Sequence, residues 1–170
     1  MSDVPCTGMA GHCVLAHTER KDLLDPNKFK PISVEDWKMK KDSIPAGGAM
    51  KMKVAFCNGI GIDASQIKRL IWISGQLSFD EKENFIGKGD IRAQTEQVLK
   101  NIKSALEKLG GMMDDIIQVT VFVKEMGSLK DIHDVRLKYF KEPYPTSTLI
   151  EVTGFVHPDA LIEINAMAAL

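Results

Sequence analysis

An α+β fold, a mixed sheet with two helices on one face, is predicted from three features of the 170-residue sequence. Two segments carry apolar residues at helical spacing. Five others carry β-branched or alternating runs of strand length. They succeed one another as β-β-α-β-α-β-β, an order in which amphipathic helices cover one face of a sheet. No internal repeat or low-complexity tract interrupts that order.

Residues 1–49 show little periodicity and read as an N-terminal extension, with "SIPAGGAM" (Ser43–Met50) as a turn or linker; the compact domain is placed at 50–170. Lys51–Ile62 is a modest strand, Asp63–Lys68 supplies turn chemistry, and Arg69–Phe79 reads as a buried strand, so a hairpin is predicted. A loop of charges and glycines leads to the clearest helix, Asp90 to Leu109. Asp90 is its N-cap, Ile91, Val98, Ile102, Ala105 and Leu109 form its apolar stripe, and Gly110-Gly111 ends it. Asp114–Met126 alternates as a strand. A shorter helix spans about Ser128 to Phe140, burying Leu129, Ile132, Val135 and Tyr139 or Phe140, and strands "TSTLIEVTGF" and "ALIEINAMAAL" complete the chain.

Composition excludes more than it identifies. With 22 basic and 23 acidic residues, the chain has no charge excess to favour nucleic acid or a membrane surface. No apolar run approaches the ~20 residues of a membrane helix, and the start lacks a signal-like apolar core. A soluble, cytoplasmic protein is expected. Three cysteines make an odd count, against a complete disulfide framework. Cys6, His12, Cys13 and His17 include soft-metal ligands, but C-x5-H-C-x3-H is not a zinc spacing, and no metal is expected. Cys57 reads as a buried small hydrophobe. Ser74-Gly75, at the end of a buried strand, is either a β-bulge or a place where bare backbone binds a carboxylate.

Several motifs then fall into one frame. "ISGQ" at 73–76, "DIRAQTEQVLKNIKSALEKLG" at 90–110, "DIIQVTVFVKEM" at 115–126, "YPTSTLIEV" at 144–152 and "LIEINAMA" at 161–168 resemble, in order and spacing, the YjgF/RidA family of reactive-intermediate deaminases, also labelled endoribonuclease L-PSP. The resemblance covers about Met50 to Ala168. It implies a chorismate-mutase-like domain, a homotrimer with clefts between subunits, and cofactor-free hydrolysis of enamines or imines to 2-oxo acids and ammonia. It also implies a carboxylate-gripping arginine in a P-A-R-S motif and a water-positioning glutamate in I-E-I-E-A.

This chain departs from the family at both places, with Ser147 at the arginine position and Asn165 at the glutamate position. Serine offers one donor and no charge, and asparagine orients water without accepting its proton. Around Ser147, Thr148 completes a hydroxyl-rich rim, Phe56 takes the place of a family tyrosine, and Ser74 and Gly75 supply backbone donors. In "DIHDVRLKYF", His133 and Arg136 stand where relatives carry Asn and Tyr, three apart and so on one helix face. That face is either simply solvated, or it brings Arg136 in as the missing cation and His133 as a general acid or base. The functional alternatives are a cofactor-free hydrolase or deaminase with a rebuilt pocket, which the resemblance favours, and a non-catalytic trimeric small-molecule binder. Ser147, Asn165 and His133 are the candidate catalytic residues; Ser74, Gly75, Arg136, Phe56 and Thr148 are the candidate binding residues.

Overall fold

The computed structural model describes residues 39–48 and 51–170. Cys6, His12, Cys13 and His17 therefore lie outside the described residues. Eight elements build the fold: β1 (Asp42–Pro45), β2 (Cys57–Gly61), β3 (Leu70–Gln76), α1 (Ile91–Lys108), β4 (Ile116–Val123), α2 (Leu129–Arg136), β5 (Thr146–Glu151) and β6 (Ile162–Ala169). The six strands form one mixed sheet in the order β1-β2-β5-β4-β6-β3.

The helices form where expected because their ends are chemically marked. The Asp90 side chain accepts from the amides of Arg92 and Ala93, satisfying two donors that have no partner inside α1. Gly110, at φ 82°, takes the left-handed turn beyond Leu109. α1 buries Val98, Leu99, Ile102 and Leu106 against the sheet. The sheet answers with Ile71, Ile73, Val119, Val121, Val123, Ile162, Ile164, Ala166 and Ala168, which alternate along their strands and share the helix-facing side.

Register decides which residues can meet. Ser147 pairs with Val119, Val119 with Ala166, and Ala166 with Ile73, a row on the helix side. One step along, Thr148 pairs with Thr120 and Thr120 with Asn165, a row on the opposite, open side. A one-residue step in a strand reverses the face.

The expected hairpin between Lys51–Ile62 and Arg69–Phe79 does not form. β2 lies antiparallel to β1 and touches β5 in parallel at Cys57–Thr146, while β3 pairs with β6 on the far edge. β2 buries only Cys57 and holds Gly59 and Gly61, so it offers β3 little to pack against; β6 presents Ile162, Ile164, Ala166 and Ala168 on its buried face. The pairing followed apolar complementarity rather than adjacency in sequence. β1, in the part read as an N-terminal extension, overlaps the start of the stretch Ser43–Met50 read as a turn or linker. At Ser74-Gly75 the β3–β6 register shifts between Ile73 and Gln76, so this pair sits in a bulge.

Candidate functional site

α2 has two chemically distinct sides. Its exposed side is taken by Lys130, with Asp131 and Asp134 held in ion pairs to Arg92. Its inner side buries Ile132 and Val135 together with His133 and Arg136, which are 2% and 1% exposed. The solvated-face reading of this pair is thus overturned: the apolar stripe turns both residues inward with it.

Arg136 Nη2 donates to Ser147 Oγ at 3.0 Å and to the Ala55 carbonyl at 3.1 Å. The guanidinium carbon stands 5.6 Å from the centroid of the Phe140 ring. Nε is buried without a hydrogen-bond partner, and no carboxylate pairs with the guanidinium among the described residues. Burial alone lowers its pKa to about 10, still well above neutrality. A buried cation without a counter-charge is rare and costly, and an orphan donor adds to the deficit.

His133 Nδ1 accepts the Ala55 amide proton at 3.2 Å, which leaves the neutral ring's own proton on Nε2. Burial first, then the Arg136 charge, push its pKa from 6.5 down to about 4, with Asp134 opposing them. The expected role as an acid or base near neutral pH meets this obstacle: at pH 7 the ring is neutral and its basic nitrogen is occupied. Phe56 packs on the His133 ring, centroids 5.8 Å apart, and lines an open pocket of about 520 Å³ with Lys41, Val54, Cys57, Glu142 and Tyr144. The Cys57 thiol donates to the Gly59 carbonyl at 3.3 Å, and burial raises its pKa, so it stays a thiol.

The other expected residues lie elsewhere. Asn165 faces the open side, where its Oδ1 accepts the Thr120 amide at 3.2 Å and it lines a pocket of about 250 Å³ with Trp72, Gln118 and Met167. Thr148 is on that same side. Ser74 and Gly75 lie at the bulge, where a Cβ on Gly75 would overlap the Glu163 carboxylate, so the space is already filled by the chain's own acid. One chain thus unites Ser147, Arg136, His133 and Phe56, and keeps Asn165, Thr148, Ser74 and Gly75 apart from them. Sequence reasoning missed Ala55, whose contribution is purely backbone. It passed over Tyr144 at the pocket wall, although the "EPYP" phrase marks that rim. No group of three or more metal-ligating side chains occurs among the described residues.

Comparison with known proteins fits this geometry. Residues 61–170 match the family model described as Endoribonuclease L-PSP. A RutC family protein of Pyrococcus horikoshii is 43% identical over 98 residues, 58% of this chain and 77% of the relative. The 3-aminoacrylate deaminase RutC of Acinetobacter baylyi is 35% identical over 107 residues, 63% of this chain and 84% of the enzyme. Among solved structures, a protein of the conserved Rid family from Yersinia pestis superposes with a TM-score of 0.67 at 26% identity, covering 78% of this chain and 100% of that one. With a matched model over well over half its length, relatives of this closeness and the same sheet, the chain belongs to the endoribonuclease L-PSP family, the YjgF/RidA proteins.

Proposed function

We propose that the chain is a divergent family member that binds a small anionic enamine or imine acid and hydrolyses it without a cofactor, in clefts between the subunits of a homotrimer. One observation carries this reading: the Arg136 guanidinium reaches the Ser147 hydroxyl at 3.0 Å without a carboxylate of its own. The cation that relatives place on the strand is supplied here from the helix, and a substrate carboxylate is the group that would answer both its charge and its orphan donor. An enamine first becomes the imine by proton transfer to carbon; water then adds to the imine carbon, its protons pass to nitrogen, the C–N bond breaks, and ammonia leaves as the carbonyl forms. No electrons are exchanged, so the balance needs no redox partner.

Ser147 and Asn165 face opposite sides of one sheet, so a site containing both needs two copies of the chain. In that arrangement Asn165, its Oδ1 tied to Thr120, presents its NH₂ to substrate or water. A second reading, a non-catalytic trimeric binder, is favoured by a different observation: neither Asn165 nor the engaged His133 is a free base. The deciding experiment measures ammonia and 2-oxo acid release from 2-aminoacrylate and larger enamine acids made in situ. Release from at least one larger acid above the spontaneous rate is expected, with 2-aminoacrylate slower than in relatives that keep the arginine and glutamate. Pyruvate binding without turnover of any acid would establish the binder. Neither binding nor turnover would refute both.

A further inference from the structure

The segment entering β2 is held in an unusual way. Ala55 is fully buried. A buried amide and carbonyl each need a partner, yet sheet pairing starts only at Cys57. Both groups of Ala55 go instead to side chains of one turn of α2, the amide to His133 Nδ1 at 3.2 Å and the carbonyl to Arg136 Nη2 at 3.1 Å. Residues three apart on a helix stand on one face, about 5–6 Å between Cβ atoms, a spacing suited to straddling one residue of a crossing chain. The second Nη2 proton goes to Ser147, so the same nitrogen ties residue 55 to β5. The next residue, Phe56, packs on His133 and forms a wall of the 520 Å³ pocket.

We propose that His133 and Arg136 are positioning residues that clamp both backbone polar groups of Ala55, fixing the neighbouring Phe56 as a wall of the pocket. The role of Phe56 toward an anion rests on the function proposed above; the clamp itself does not. His133 can hold the amide only while Nδ1 keeps its lone pair, so protonation opens one prong. The charged groups facing the ring are Arg136, which opposes protonation, and Asp134, which favours it; Ala55 and Phe56, packed on it from the other side, carry no charge. Acid should therefore free the Ala55 amide before the fold as a whole is lost.

Amide hydrogen exchange by NMR, corrected for the intrinsic pH dependence of exchange, tests the clamp on the full chain. In the unaltered protein the Ala55 amide should be protected at pH 7 and lose at least tenfold of that protection by pH 4, while core amides of β4 hold theirs. His133→Asn keeps an acceptor without a titrating group, and should keep the protection and flatten its pH dependence. His133→Leu should lose the protection at all pH values and weaken pyruvate binding about tenfold, with His133→Asn restoring the affinity. Protection that survives in His133→Leu, or fails to return in His133→Asn, would overturn the clamp. If the unaltered protein shows the exchange pattern but neither binds pyruvate nor turns over any of the enamine acids, the clamp stands and the functional reading falls.

Discussion

Arg136 and Ser147 behave as a relocated pair. The resemblance implies arginine at position 147 and tyrosine at 136, and this chain has the cation on the helix and the hydroxyl on the strand. Restoring arginine at 147 alone would set two guanidinium groups near one another in a buried place, a repulsion of roughly 4 kcal/mol at an effective dielectric of 20. Ser147→Arg is therefore expected to destabilise by roughly 2–4 kcal/mol in urea unfolding, and most of that should vanish beside Arg136→Tyr. An equal cost in both backgrounds would show that the two positions are uncoupled. His133 adds a pH signature of known sign. Its folded pKa is depressed, so below 6.5 the unfolded chain takes up a proton that the folded one refuses until about pH 4. Stability should fall as pH drops through that window, by on the order of 3 kcal/mol, and His133→Asn should remove that part of the slope. Both residues were legible in the sequence as departures from a motif, and their three-residue spacing showed that they share a face. Which face was not legible, because Asp131 and Asp134 are just as polar and the difference lies in what α2 packs against.

The elements show why the most recognisable motif is not the chemical one. Along α1, Gln94 is fully buried, donating to the carbonyls of Gly87 and Asp159 and accepting the amide of Leu161. Two turns on, Asn101 donates to the carbonyls of Leu77 and Phe79, and Gln97, between them, reaches Phe79 and Asn101. The "QT-x-Q-V-L-x-N-I" pattern therefore stitches the loop after β3 and the approach to β6 onto the helix. Its residue types are demanded because buried loop carbonyls need donors. Gln94→Leu, near in volume but without those bonds, should cost roughly 2–4 kcal/mol, since it strands three backbone groups. A loss below about 0.5 kcal/mol, the scatter of ordinary surface substitutions, would contradict that role. Helix limits were readable to within a residue for α1 because Asp90 and Gly110 mark them chemically. The β2–β3 hairpin was misread because turn residues show where a chain bends, not which strand it then joins.

At the scale of the whole molecule, the sheet has one satisfied face and one that is not. The helix side holds the core, whereas the open side presents Trp72 at 67% exposure and Ile150 at 39%, beside Phe122 and Met167. Alternation along β3, β4 and β6 made both faces legible, but a single sequence carries no sign of what covers the second. Exposed large apolar side chains gathered on one face are what the subunit interface proposed above would cover. The same face carries Asn165, so covering it with another copy is also the way Asn165 could approach the Ser147–Arg136 site. Trp72→Glu puts a charge into the patch on the edge strand β3 without touching the core, and, if the protein is the trimer proposed above, should give a folded monomer, about a third of the unaltered protein's mass by light scattering. If turnover needs Asn165 from a neighbouring copy, activity should fall with the trimer, while the protection of the Ala55 amide, which lies within one chain, should persist. An unaltered protein that is itself monomeric at micromolar concentration would remove the intersubunit cleft from the account. A Trp72→Glu monomer with full activity would show that Ser147 and Arg136 suffice alone.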